Sequence, residues 1–209
     1  MSTYTVTKTT GGKTQPMLMT VAAPSQYMPP QQMRAFAPDS HLNSLFLADL
    51  LSAFLAHERC GVHLYRSAIA QTHNEAWRQR YQAFLGETEE HVRILESLVS
   101  QLGGDPMYVS PAARLDELQN AKLMEPILLA GSFDSITSEL AGLEAVLIAE
   151  QKCHANWSLL SRLVQGLADG ESVRVLRQAV NQVESQEDEH VRWALSTWQQ
   201  TLMTLLQAA

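Results

Sequence analysis

Apolar residues recur every three to four positions from about residue 41 onward, and four of the resulting stripes are broken by acids. That period predicts amphipathic helices rather than strands. A first long helix over about 41–71 turns Leu47, Leu51, Phe54, Leu55, Glu58, Val62, Tyr65 and Ile69 to one side, with Pro38-Asp39-Ser40 offering a cap ahead of it. After the polar turn 71–74 comes a second helix, about 75–102. It ends at Gly103-Gly104-Asp105-Pro106, where glycine closes a helix and proline cannot extend it. Ser110-Pro111 starts a short helix, and Pro126 interrupts the rest of that connection. Two further long helices cover about 135–165 and 171–207, joined by the turn 166–170. Connections that run short, long, short predict an all-α fold: an antiparallel four-helix bundle with one long crossover between the second and third main helices.

Ahead of this pattern, residues 1–38 are rich in Thr, Gln, Pro and Met and carry no period. They are expected to be a disordered or loosely docked tail, with the bundle filling 39–209. The sharper reading of that tail is an arm that docks on a neighbouring subunit.

The acids in the stripes carry the chemistry. Glu187 and His190 form an E-x-x-H, and Glu87 and His91 lie four apart, so each pair shares a helix face. Glu58 lies among Phe54, Leu55, Val62 and Tyr65; Glu150 lies among Val146, Leu147, Cys153 and Trp157. Burying an unpaired carboxylate costs several kcal/mol even after relaxation, whereas a buried Leu gains only about 1.5–3 kcal/mol. Acids at core positions therefore need compensating cations or protons, and a pair of divalent ions meets that need directly. Carboxylate and imidazole, with no thiolate expected at the centre, favour iron or manganese over a structural zinc.

The chain also repeats itself. Glu58 is followed seven residues later by Tyr65, and Glu150 by Trp157; Glu-Glu-His-Val-Arg at 89–93 is echoed by Asp-Glu-His-Val-Arg at 188–192. The first helix pair thus reads as a copy of the second. A site on the axis relating them would draw ligands from all four helices.

Composition narrows the setting. At 209 residues the chain is one domain, or one with a tail. No apolar run approaches the ~18–20 residues of a membrane span, and no secretory signal is visible at the N-terminus. Two cysteines, Cys60 and Cys153, make no disulfide scaffold; they read as small buried apolar residues, with the cytoplasm as default compartment. A net charge of -7 argues against nucleic-acid binding. Lys8, Lys13 and Arg34 against Asp39 alone leave the first forty residues at +2 and the remainder at -9, which suits solubility as well as cation uptake.

Over about 41–200 the sequence resembles the ferritin-like superfamily of rubrerythrins, bacterioferritins and ferritins, including uncharacterised bacterial ferritin-like proteins. That family's pattern is one Glu from each of two helices and a Glu-x-x-His from each of the other two. The resemblance implies two iron ions, with manganese as the alternative, held by Glu58, Glu87, His91, Glu150, Glu187 and His190. It implies ferroxidase- or peroxidase-type oxidoreductase chemistry with Fe(II), peroxide or dioxygen, and a homo-oligomer, dimer or larger. Helix 2 departs from the pattern: the position three before His91 is Thr88, and Glu87 points about 100° away from it. An iron-storage shell, or a non-enzymatic bundle with a degenerate site, are the alternatives. No Cys-x-x-Cys pair is present to carry an attached electron donor.

Overall fold

The computed structural model describes residues 3–10, 13–20, 28, 30–129 and 134–208. They comprise an antiparallel hairpin, β1 (Thr3–Thr10) with β2 (Lys13–Thr20), and six helices packed as a bundle. The helices are α1 (Pro30–Arg34), α2 (Ser44–Gln71), α3 (Glu75–Gln101), α4 (Pro111–Leu128), α5 (Ser135–Gln165) and α6 (Glu171–Gln207). The hairpin and α1 fall within the stretch expected as a tail. From Met28 onward that stretch contributes core: Met28, Met33 and Phe36 are buried against α2 and α3 residues such as Leu55 and Val99.

The expected helices are found, with bounds set by side chains that satisfy their first backbone N–H groups. Asn43 caps α2, Asn74 caps α3, Ser110 caps α4 and Asp134 caps α5. Asp39 does not cap α2. It crosses to the start of α6, where it accepts from the backbone N and the hydroxyl of Ser172. Gly170, which brings no capping side chain of its own, leaves the room: a Cβ there would lie 2.8 Å from Asp39 Oδ2. The helix expected to be short, α4, runs for 18 residues and carries Pro126 within its last turn.

Packing links α2 to α3, α3 to α6, α6 to α5 and α5 back to α2, while α4 lies against α2 and α5. A buried polar clasp ties α4 down. His57 of α2 is bonded through Nδ1 to Asp116 Oδ2 at 3.2 Å and through Nε2 to the Ala149 carbonyl at 3.1 Å, and Asn120 donates to Asp116 at 2.7 Å. Burial lowers the pKa of His57, but Asp116, the Ala149 carbonyl and the Glu58 charge together raise it above the ordinary histidine value.

Apolar residues separate into two clusters. One joins Phe36, Leu51, Leu55, Leu95, Trp157, Leu176 and Val183; the other joins Tyr65, Tyr81, Phe84, Val146 and Ala194. Along each of α2, α3, α5 and α6, polar residues fall between members of the two. No helix among the described residues is long and apolar enough to cross a membrane.

Candidate metal centre

The polar layer between the clusters is where the interrupted stripes meet. Glu58 comes from α2, His91 from α3, Glu150 from α5, and Glu187 with His190 from α6; none is more than 2 % exposed. They form two groups that share Glu187. Glu150, Glu187 and His190 each offer a ligand atom within 4.8 Å of the others, and so do Glu58, Cys153 and Glu187. His91 approaches the two carboxylates of the second group, its Nδ1 lying 2.9 Å from Glu187 Oε1 and 3.8 Å from Glu58 Oε2. In the first group His190 Nδ1 lies 3.2 Å from Glu150 Oε2.

These approaches are close without being aligned as hydrogen bonds. Glu58 Oε2, Glu150 Oε2, Glu187 Oε2, His91 Nδ1 and His190 Nδ1 are all buried and unpartnered, and elsewhere among the described residues only Arg80 Nε shares that condition. Buried polar atoms are otherwise nearly always paired. Five orphans converging from four helices, all of them oxygen or imidazole nitrogen, fit a bound cation.

The opposite atom of four of these groups is held. Trp157 Nε1 donates to Glu58 Oε1 at 2.8 Å, and Tyr65 Oη to Glu150 Oε1 at 2.6 Å. The aromatic seven residues after each glutamate therefore serves the other repeat's glutamate. His91 Nε2 donates to Gln186 Oε1 at 2.8 Å, and His190 Nε2 to Glu87 Oε2 at 2.6 Å. With Nε2 carrying a proton, each Nδ1 can present a lone pair inward, the arrangement that orients histidine for a metal.

Protons balance part of the charge without metal. Burial pushes Glu187 up, the Glu58 charge adds to this and His91 opposes it, leaving the carboxyl at about 8. Burial pulls His91 down, but Glu187 and Glu58 outweigh it and push the imidazole up to about 10. His190 is raised in the same way, Glu150 overcoming burial.

Of the six residues expected at the site, five converge and Glu87 stands outside them. Its side chain is 36 % exposed, and its contact is with the outward nitrogen of His190 rather than with His91. Thr88 faces the core instead, its hydroxyl donating to the Phe84 carbonyl at 2.9 Å. Cys153, expected as a small buried apolar residue, is buried, and its sulfur also lies in the group with Glu58 and Glu187. Its signal was position: it follows Glu150 by three and so shares its helix face. Gln186 carried no comparable signal, since only packing of α6 against α3 gives it a partner.

Fold and cluster together define an all-helical bundle whose buried carboxylate, imidazole and thiol groups can hold a metal ion. No known protein family matches the chain, and no curated protein matches it either. Among solved structures it is similar to YcfI from Rhodopseudomonas palustris, a protein whose proposed role is structural. The two are 20% identical with a TM-score of 0.57, over 76% of this chain and 96% of that one. This likeness shows the helical-bundle fold and nothing of the chemistry.

Proposed function

We propose that the chain is a ferritin-like metalloprotein with a dinuclear carboxylate–histidine centre. The observation that carries this reading is the set of five unpartnered, buried ligand atoms drawn from four helices. Glu58 and His91 would hold one ion, Glu150 and His190 the other, and Glu187 belongs to both groups. Iron, with manganese as the alternative, supplies electron transfer to dioxygen or peroxide when bound there. The chain's own residues do the rest. Trp157 and Tyr65 fix the two outer glutamates, Gln186 and Glu87 fix the two imidazole rings, and the flanking apolar clusters exclude bulk water.

Thr88 favours a second reading: a non-enzymatic bundle that keeps one ion, at Glu150, Glu187 and His190, for stability. Elemental analysis after anaerobic Fe(II) loading and desalting separates the two. About two irons per chain are expected, falling to about one when Glu150 is replaced by Ala and to none when Glu187, common to both groups, is replaced. One ion per chain without oxidation on exposure to air would favour the second reading, and less than half an ion of any metal would exclude both.

A further inference from the structure

The two halves of the centre are chemically unlike. Cys153 is 3 % exposed, and its sulfur lies with Glu58 and Glu187 inside the same 4.8 Å group. Glu58 Oε2 and Glu187 Oε2 are themselves buried and unpartnered. His91 Nδ1 faces those same two carboxylates. This half therefore presents oxygen, nitrogen and sulfur from four side chains. The other half presents only Glu150, His190 and the shared Glu187. Its counterpart of Cys153 in the repeat, at the same distance from Glu58 as Cys153 is from Glu150, is Gly61, which brings no donor.

We propose that Cys153 is a metal ligand, and that the Glu58–His91–Cys153–Glu187 position is a mixed N/S/O site for a thiophilic divalent ion such as zinc or cobalt. The Glu150–His190 position remains an N/O site with open coordination. This rests on the dinuclear reading above and refines it, because two unlike positions sort two unlike metals. Glu58, Cys153 and Glu187 with His91 facing the two carboxylates would supply zinc with four donors including sulfur, while a site of three donors leaves room for a reactant. Without metal the thiol is protonated, since burial and the Glu58 and Glu187 charges both raise it. Coordination displaces that proton: the sulfur lone pair forms the bond to the ion, and the proton leaves to buffer.

Cobalt(II) titration of the purified full-length protein tests this, read by the near-ultraviolet thiolate-to-cobalt charge-transfer band. The band is expected to grow with the first cobalt bound and to persist in Cys60→Ser. It should vanish in Cys153→Ser while one cobalt per chain is retained, and zinc affinity should fall at least about tenfold. Far-ultraviolet circular dichroism reports whether the variant is folded. X-ray absorption of zinc-loaded wild-type protein gives the same answer with no substitution, through a scatterer at about 2.3 Å. Cobalt bound without the band, or a band that survives Cys153→Ser, overturns the ligand and leaves the dinuclear reading standing. No cobalt, zinc or iron bound at all overturns both.

Discussion

Raising the pH of the metal-free protein from 6 to 9 should weaken the fold, and the cluster sets how steeply. Glu187 is pushed up to about 8 in the folded chain and His91 to about 10. In the unfolded chain they return to their ordinary values near 4.5 and 6.5. Between about pH 6.5 and 8 the folded state thus holds nearly two protons that the unfolded state has released. Each extra proton lowers unfolding free energy by about 1.4 kcal/mol per pH unit, so the two together approach ~3 kcal/mol per unit as an upper bound. Against a typical total of about 5–15 kcal/mol, that is large. His190 and His57, both raised, act in the same direction. Urea denaturation in chelator at pH 6, 7, 8 and 9, followed by far-ultraviolet circular dichroism, measures the slope. Glu187→Gln, which cannot titrate and also removes the largest influence raising His91, should flatten it by between one and two protons' worth. Stability that is constant or rises between pH 6.5 and 8 would refute the reasoning, because it would mean the buried cluster holds no surplus protons.

Metal loading should displace those same protons. Calorimetry at pH 7 in buffers of different ionisation enthalpy should read the release of about two to three per fully loaded chain, and binding without release would contradict the ligand set. Tyr65→Phe leaves Glu150 Oε1 without its 2.6 Å donor. It should cost about 1.5–3 kcal/mol in thermal or chemical denaturation and about 10–100-fold in metal affinity. Gly104→Ala places a Cβ 2.7 Å from Phe36 Cε2 and 2.9 Å from Val99 Cγ1, so denaturation should show a loss of about 1–3 kcal/mol with metal stoichiometry unchanged.

The helices were legible because period and punctuation agreed. In α5 and α6 the apolar spacing, the break at residues 166–170 and the length all pointed to one segmentation, and both sets of bounds match. The docked stretch after Met28 was not legible, because α1 is only five residues long and the path beyond it, with Ala37 and His41 at positive φ, leaves no period for Met33 and Phe36 to show. In the site, the five converging residues stood out as polar breaks in apolar stripes. Glu87 could not be placed from sequence: one residue is 100° of helix, and only the neighbouring α6 decides that it serves His190. Cys153 was hidden for another reason. A cysteine suits an apolar stripe, so nothing in the pattern distinguishes a packed thiol from a coordinating one.

The internal repeat explains why the two halves of the centre differ where they do. Residues of α2 map onto α5 by adding 92, and residues of α3 onto α6 by adding 99, which pairs Glu58 with Glu150 and His91 with His190. The same mapping pairs Tyr65 with Trp157 and Glu87 with Gln186, and each member performs its counterpart's task on the opposite half. Two pairs break the correspondence. Thr88 stands against Glu187, and Gly61 stands against Cys153. These breaks face each other: a Cβ on Gly61 would lie 3.3 Å from Thr88 Cγ2, while Cys153 and Glu187 meet within the cluster. Thr88 thus stands where the other half has a carboxylate, with Gly61 leaving space beside it, while the other half has Glu187 and Cys153 in the cluster. A symmetric pair of hairpins would bind two like ions. Paired departures at one layer of the bundle, with the supporting hydrogen bonds kept on both sides, leave different side-chain groups on the two sides of the buried cluster.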